Sequence, residues 1–198
     1  MKKQQIKSQN TRRKILQAAA ELFAVEGYDA VSVADIVDKA ECSVGAFYGH
    51  FKSKEVLVTR LWLYVTTELI SEAVEKGSHI QDRVAFVDYL VEHSAECAKH
   101  PLMNSLYRYV HVDEEGSREL ASYASRFLSM IRNVLHAYAP DASEDVLWTY
   151  ASIIHSLLNA HSRCTGDPSE YFKFSNEVVR QAILALMDIC KNQPKNQQ

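Results

Sequence analysis

The sequence predicts an all-α protein of about nine helices. Its long segments place apolar residues three and four positions apart, which is the spacing of one helix face, and no segment keeps the alternation of a half-buried strand. Proline and glycine occur mainly between these segments, where they begin or end helices. With 198 residues and 47% hydrophobic content, the chain is long enough to bury a sizeable core.

The first three helices have clear end signals. Residues 11–26 form an amphipathic helix, which Gly27 ends as a C-cap. Ser32 begins the second helix as its N-cap, with Asp35 as the capping-box partner. A three-residue turn then leads to a third helix over residues 44–51. The apolar residues predicted to close a small core between these helices are Ile15, Ala18, Ala19, Leu22, Phe23, Ile36, Phe47 and Phe51.

Six further helices are predicted after these three. A capping box at residues 78–81, the acidic loop 113–116 and the prolines at 101 and 140 mark their boundaries. Asp167 and Pro168 begin the last helix, because proline suits the first helical position. The predicted helices cover residues 53–76, 78–100, 102–112, 117–139, 143–163 and 167–191.

The second and third helices and the turn between them match the helix-turn-helix pattern, whose second helix enters a DNA major groove. Small side chains and two glycines on the third helix allow close approach to base edges. Val44 and Ala46 are suited to contact thymine methyl groups, whereas Tyr48, His50 and Lys54 are suited to hold phosphates. The alternative is a plain helical hairpin whose glycines only relieve crowding.

The sequence around this pattern resembles the tetracycline-repressor (TetR) family of one-component regulators. The residues that carry the resemblance are Arg13, Lys14, Ile15, Leu16, Ala19, Leu22, Phe23, Gly27, Ser32, Ile36, Ala40, Ser43, Gly45, Phe47, Tyr48, His50, Phe51, Lys54, Glu55 and Leu57. The resemblance implies a three-helix DNA-binding head on an all-helical, dimeric, ligand-sensing body. We therefore expect DNA contacts from Ser32, Ser43, Val44, Gly45, Ala46, Tyr48, His50 and Lys54.

Four positions depart from the family pattern. Glu41 stands where the family usually has glycine, and Cys42 stands where it usually has an aliphatic residue. Val44 and Gly49 occupy positions that often carry polar residues. These last two argue against base readout by hydrogen bonding, but they do not argue against DNA binding.

Charge is distributed unevenly along the chain. Residues 1–60 carry ten Lys and Arg against seven Asp and Glu, whereas residues 61–198 carry twelve against eighteen. Six of the basic residues lie in the first fourteen positions, with no acid among them. This basic arm suits contact with DNA phosphates or a minor groove, although a disordered solubilising tail over residues 1–9 is an equal alternative.

The sequence also indicates a compartment. The four cysteines are widely spaced and form no CxxC pair, which is typical of a reduced cytoplasmic protein. The basic N-terminus lacks the apolar segment of a secretory signal. No run of about 18 apolar residues predicts a membrane span.

The helix over residues 81–100 predicts a ligand pocket. It has an aliphatic face, a charged face and a third face of aromatic, imidazole and thiol groups, which pockets use for apolar contact with a few polar contacts. The residues predicted to line the cavity are Trp62, Phe86, Tyr89, His93, Cys97, His100, Tyr107, Phe127, Trp148 and His155. The expected ligand is small, largely apolar and planar, and the acidic face, predicted to be solvated, argues against a cationic one. A wet seam between helices is the alternative.

The spacing of His93, Cys97 and His100 is also compatible with zinc. No fourth ligand is evident, and cysteine and histidine on a half-buried face are more often packing residues. We therefore predict no metal and no cofactor.

The last two helices are apolar on two faces, so they need a partner beyond their own core. Two such helices from each of two chains would form a four-helix homodimer interface, which the family resemblance also implies. Ile183 and Leu186 are predicted to face the partner. A hairpin buried inside a monomer is the alternative.

These observations predict a DNA-binding domain over residues 1–52, a ligand-binding and dimerisation domain over 53–192 and a polar tail over 193–198. The predicted function is a homodimeric transcriptional repressor that binds a palindromic double-stranded DNA operator and is released by a small-molecule effector. A ligand-independent regulator or an activator of the same fold is an alternative. An enzyme or a carrier is disfavoured, because no GxSxG, HExxH or glycine-rich phosphate loop is present.

Overall fold

The structure, a computed structural model, describes residues 2–163 and 175–193. Within these residues it contains nine α-helices and no strand, so the predicted all-α class is confirmed. The helices are α1 (Lys2–Glu26), α2 (Val33–Lys39), α3 (Val44–His50), α4 (Lys54–Gly77), α5 (Arg83–Lys99), α6 (Pro101–Tyr107), α7 (Glu114–Tyr138), α8 (Glu144–Arg163) and α9 (Asn176–Lys191).

The chain forms two compact units whose segments alternate in sequence. The first unit contains Met1–Thr66 and Pro101–Ser117, and the second contains Thr67–His100 and Arg118–Gln198. Helices α4 and α7 contribute to both units, because a unit boundary falls inside each of them.

The first unit is organised around the contacts among α1, α2 and α3, which pack against one another. The core residues predicted for this region are buried, except that Leu22 is half-buried. Helix α6 also packs against α1, although some 75 or more residues separate them in sequence. The first unit therefore includes α6, and the sequence pattern of residues 1–52 does not predict this contact.

The second unit has a core in which α5 packs against both α8 and α9, and these two pack against each other. Helix α7 completes it with an apolar face that includes Met130, Ile131 and Leu135. The buried members from the other helices are Ala73, Phe86, Val87, Leu90, Val91, Leu147, Ala151, Ile154, Leu158, Val179, Ile183, Met187 and Cys190.

Two helices begin earlier than predicted. Helix α1 begins at Lys2 rather than residue 11, because residues 2–10 contain neither glycine nor proline to stop it. Helix α7 begins at Glu114 rather than residue 117. The Asp113 carboxylate accepts the Gly116 N–H at 2.8 Å, so Asp113 caps the helix and the predicted acidic loop forms its first turn.

Three other boundaries differ from the prediction. Helix α5 begins at Arg83, because its N-cap is Asp82, whose carboxylate accepts the Ala85 N–H at 2.8 Å, and not the predicted box at residues 78–81. Helix α6 ends at Tyr107 instead of residue 112. Helix α9 begins at Asn176 after the N-cap Ser175. The predicted start at Asp167 and Pro168 and the tail over 194–198 lie outside the described residues.

The prediction that Ile183 faces a partner chain is wrong. Its side chain is 1% exposed and belongs to the core of the second unit, while Leu186 is half-buried against the same core. Both faces of α9 are apolar, and the sequence alone does not indicate which of them packs on α5.

Gly27→Ala and Gly49→Ala form a matched pair, because a Cβ at either position would meet no heavy atom within 4 Å. Gly27 has a φ of +81°, so alanine there is expected to lower the free energy of unfolding by about 1 kcal/mol. Gly49 lies within α3, where alanine is expected to raise it by about 0.5–1 kcal/mol. Urea unfolding measures both, and shifts of the same sign would contradict the reasoning.

Candidate functional site

The start of α2 is held by the predicted capping box. The Ser32 hydroxyl accepts the Asp35 N–H at 3.2 Å, and the Asp35 carboxylate accepts the Ser32 N–H at 2.7 Å. The same carboxylate accepts the Ser32 hydroxyl proton at 2.6 Å, and these hydrogen bonds hold the pKa of Asp35 below its usual range. Ser32 therefore fixes the beginning of α2, and its side chain is exposed at the surface.

The turn between α2 and α3 contains an unusual backbone conformation. Glu41 has a φ of 51°, in the left-handed region that glycine prefers, which is where the family usually has glycine. The Cys42 N–H donates to the Val37 carbonyl at 3.0 Å, and the Ser43 hydroxyl caps α3 by accepting the Ala46 N–H at 3.1 Å. The turn is therefore formed in spite of the departure at position 41.

Helix α3 has one buried and one exposed side. Phe47 and Phe51, four residues apart, are 0% and 1% exposed and anchor the buried side. Ala46 and His50 are half-buried between the two sides. The exposed side consists of Val44, Gly45, Tyr48 and Gly49. The structure thus brings together a surface of small residues with one phenol ring, as the sequence predicts.

Basic residues of α1 lie close to this region of the head. The Arg12 guanidinium lies 5.6 Å from the centre of the Phe51 ring, and the Lys14 ammonium lies 3.5 Å from the Glu41 carboxylate. The predicted basic arm is continuous with α1 from Lys2 onward. The backbone of this arm is therefore helical rather than irregular.

Lys54, predicted to hold a phosphate, is directed into the head. Its ammonium donates to the Tyr28 carbonyl at 2.9 Å and to the Val31 carbonyl at 2.8 Å. The same ammonium lies 4.0 Å from the centre of the Tyr28 ring. Two of its three N–H groups thus hold the link between α1 and α2, and at most one can meet a phosphate.

Two of the predicted ligand residues lie in the first unit. The Trp62 indole N–H donates to the Met103 carbonyl at 3.2 Å, and its ring centre lies 5.9 Å from that of Tyr107. Trp62 is buried, whereas Tyr107 is about half exposed. Their rings therefore stabilise α4 against α6 within the head unit.

A concavity of about 270 Å³ lies in the second unit, between α4 and the end of α5. His93 and Cys97 form its wall, with the thiol sulfur 3.4 Å from the His93 Nε2. Burial lowers the pKa of His93 and raises the pKa of Cys97 to about 11, so both the imidazole and the thiol are neutral near pH 7. The lining residues are Leu69, Glu72, His93, Glu96, Cys97, Lys99 and His100.

Tyr89 lies behind this wall. Its ring stacks on His93 at 5.8 Å, and its hydroxyl donates to the Glu72 carbonyl at 3.4 Å. Burial raises the pKa of Tyr89 to about 12, which keeps the hydroxyl a donor. No local sequence pattern places Glu72 near His93, because Glu72 lies on another helix. Glu96 is exposed, as the sequence predicts, and also lines the concavity.

The other predicted ligand residues of the second unit do not line this concavity. Phe86 and Phe127 belong to the core, and Trp148 is exposed on α8. His155 packs against Phe127 at 5.5 Å between ring centres. Phe86 shares a helix face with His93, but seven residues separate them by about 10 Å along the helix axis, where different neighbours cover the face.

The residues that the structure describes contain neither a metal-binding cluster nor a membrane-spanning helix. No group of three or more His, Cys, Asp and Glu side chains among them is arranged to hold a metal ion. None of the described helices combines the length and the apolar character that a bilayer crossing requires.

Residues 15–61, which contain the capping box, the turn and both sides of α3, match the family described as "Bacterial regulatory proteins, tetR family". This segment of the chain therefore resembles the TetR family. The family and the relatives that the chain resembles are transcriptional regulators and not enzymes.

Two relatives illustrate the similarity. The HTH-type transcriptional regulator UidR of Escherichia coli K12 is 32% identical over 120 residues, which cover 60% of this chain and 58% of that protein. The HTH-type transcriptional repressor KstR2 of Mycolicibacterium smegmatis is 42% identical over 59 residues, which cover 27% of this chain and 29% of that protein. The chain thus spans little more than half the length of UidR.

The whole fold also has a solved counterpart. The crystal structure of a TetR-family transcriptional regulator from Pectobacterium atrosepticum superposes with a TM-score of 0.69, covers 96% of this chain and 98% of that chain, and is 18% identical. This similarity shows that the described helices after residue 61, as well as those before it, have the fold of that regulator.

Proposed function

We propose that this TetR-family chain is a homodimeric DNA-binding transcriptional repressor that binds a palindromic operator and is released by a small, largely apolar ligand. The observation that carries the proposal is the exposed side of α3, which lies opposite Phe47 and Phe51 within the segment that matches the family. In this proposal residues 1–52 supply the DNA contacts, residues 53–192 supply the ligand and dimer contacts, and the protein acts in the cytoplasm.

The exposed side of α3 suits the major groove. Val44 offers an apolar contact for a thymine methyl, and Gly45 and Gly49 allow the backbone to approach base edges closely. Tyr48 is 55% exposed and can reach a phosphate with its hydroxyl. Half-buried Ala46 is suited to contact a thymine methyl, and half-buried His50, one helical turn further on, is suited to hold a phosphate. The basic start of α1 adds phosphate contacts that carry no sequence information.

Selection of bound sequences from random DNA is expected to return a pseudo-palindrome with half-sites about one helical turn apart. Gly49→Ala is expected to lower operator affinity about tenfold while it stabilises the fold, because the added methyl keeps α3 from the groove. Val44→Gln is expected to change the preferred base instead.

The matched control is Val25→Gln, an exposed valine of α1 outside the proposed interface, which should leave both affinity and preference unchanged. Purified protein that shows no salt-sensitive preference for any palindrome over bulk DNA would end the proposal.

The dimer proposal rests on apolar side chains of α8 and α9 that remain exposed in the single chain. Ile153, Val178 and Ile189 are 43%, 53% and 49% exposed. On α9, Val178, Ala182, Ala185 and Ile189 recur at positions i, i+4, i+7 and i+11, which form one stripe of a helix. This stripe lies away from the face that Ile183 packs into the core, so it supports a surface for a second copy.

Ile153→Glu and Ile189→Glu are expected to give folded monomers, because the charge would be buried only in the dimer and would cost several kcal/mol there. Ile183→Glu should instead unfold the chain, since that side chain is buried within one chain. Sedimentation equilibrium with circular dichroism separates the two results. Dimers that persist in both exposed-site variants would show that another surface is used.

The concavity at His93 and Cys97 is the proposed effector site. Its volume, about 270 Å³, suits a small ligand, and the neutral thiol–imidazole pair and the Tyr89 ring behind it favour an apolar, planar one. Glu72 and Glu96 at its edge can accept hydrogen bonds from the ligand. The effector would lower the affinity of the protein for the operator by the same factor by which the operator lowers its affinity for the effector.

A panel of small planar aromatic compounds, screened by shift of the melting temperature, is expected to yield a ligand that releases operator DNA. Cys97→Phe should abolish that shift and the release while keeping operator binding, because the ring fills the concavity. Glu92→Phe, on the exposed face of the same helix, is the control and should respond normally. A normal response of Cys97→Phe would place the effector elsewhere.

A further inference from the structure

The segment that follows α6 is a structural part of the head. Residues 101–117 cluster with Met1–Thr66, although α5 and most of α7, which flank the segment in sequence, belong to the second unit. After α6 the chain turns back on itself, with the Tyr109 N–H donating to the Leu106 carbonyl at 2.9 Å. This turn places Tyr109 against the link between α1 and α2.

Tyr109 and Lys54 enclose the ring of Tyr28 in that link. The ring centres of Tyr28 and Tyr109 are 4.0 Å apart with 29° between their planes. Because a ring stacked this closely covers one face of Tyr28, the Lys54 ammonium, also 4.0 Å from its centre, occupies the other. The sequence therefore brings three distant residues into one stack.

Hydrogen bonds fix the rotation of both rings. The Tyr28 hydroxyl donates to the Glu55 carboxylate at 3.3 Å, and the Tyr109 hydroxyl donates to the Asp29 carboxylate. Burial and the nearby Glu55 raise the pKa of Tyr28 to about 12, so the hydroxyl stays protonated. The Arg108 guanidinium lies 4.9 Å from the Tyr109 ring centre and 4.0 Å from the same Asp29 carboxylate.

Further contacts hold the chain after Tyr109 along α4. The His111 N–H donates to the hydroxyl of buried Thr59 at 3.1 Å. The Arg60 guanidinium bonds Asp113 at 2.9 Å and Glu115 at 3.1 Å. Residues 111–115 thus lie beside Thr59 and Arg60 of α4.

We infer that Tyr109 is a positioning residue for the DNA-reading helices, acting through Tyr28 and Lys54; this inference rests on the proposed DNA-binding function. The link between α1 and α2 is where α2 and α3 join the rest of the head. Lys54 donates to two carbonyls of that link, and Tyr109 covers its aromatic residue. The stack therefore sets the direction in which α2 and α3 leave α1.

The first test is operator affinity, measured well below the melting temperature of each variant. Tyr109→Leu is expected to lower affinity about tenfold, because it removes the stack. Tyr109→Phe should stay within about threefold of wild type, since it keeps the stack and loses only the Asp29 hydrogen bond. Tyr107→Leu is the matched control on the same segment and should bind operator like wild type, because Tyr107 packs on Trp62 instead.

The second test requires no DNA. Amide hydrogen exchange in α2 and α3 is expected to become faster in Tyr109→Leu and in Lys54→Met, and to stay at the wild-type rate in Tyr107→Leu. In the double variant Lys54→Met with Tyr109→Leu, the loss of exchange protection in α2 and α3 should be smaller than the sum of the losses in the two single variants, because both residues act on Tyr28.

The outcomes separate the inference from the proposed function. Wild-type affinity and wild-type exchange in Tyr109→Leu would overturn the inference and leave DNA binding intact. Equal losses in Tyr109→Leu and Tyr107→Leu, in step with their melting temperatures, would also overturn it. A wild-type protein that binds no DNA would refute the proposed function, and the exchange experiment would still decide whether Tyr109 positions α2 and α3.

Discussion

The burial of Phe47 and Phe51 is the constraint on which the head depends. Helix α3 has only seven residues, too few to be stable alone, and two of them are glycines that weaken it further. Burying two aromatic rings four residues apart therefore supplies the stability that the helix lacks and determines which side faces outward. The outward side is then free to carry small residues that would be poor choices for stability.

The second unit follows a different constraint, in which one helix is buried by several others. Helix α5 packs against α8 and α9 with an aliphatic face, and α7 completes the same core. Because α8 and α9 use one apolar face each for this purpose, their second apolar faces remain at the surface of the chain. The concavity lies at the end of α5, and there His93 and Cys97 contact each other and are not part of the apolar core.

Much of the head can be predicted from the sequence, because its structure depends on local hydrogen bonds. The capping box at Ser32 and the cap at Ser43 join residues three apart, and the anchors of α3 follow helical spacing. Features that depend on contacts between residues distant in the sequence cannot be predicted in this way. The sequence contains no signal that Lys54 turns inward, that Glu72 approaches His93, or which face of α9 is buried. A division of the chain at residue 52 likewise follows local pattern, whereas the compact units divide near residues 66, 100 and 117.

The discontinuity of the first unit matters for anyone who wishes to transplant the proposed DNA-binding surface of α3 into another protein. A graft that exchanges only the N-terminal segment would carry Tyr28 and Lys54 into the new protein and leave Tyr109 behind. The recipient would then supply whatever residue follows its own α6. The Tyr28 ring in the transplanted link between α1 and α2 would lose its stacking contact with Tyr109. Chimeric proteins built from this chain should therefore exchange the turn around Tyr109 together with the N-terminal segment.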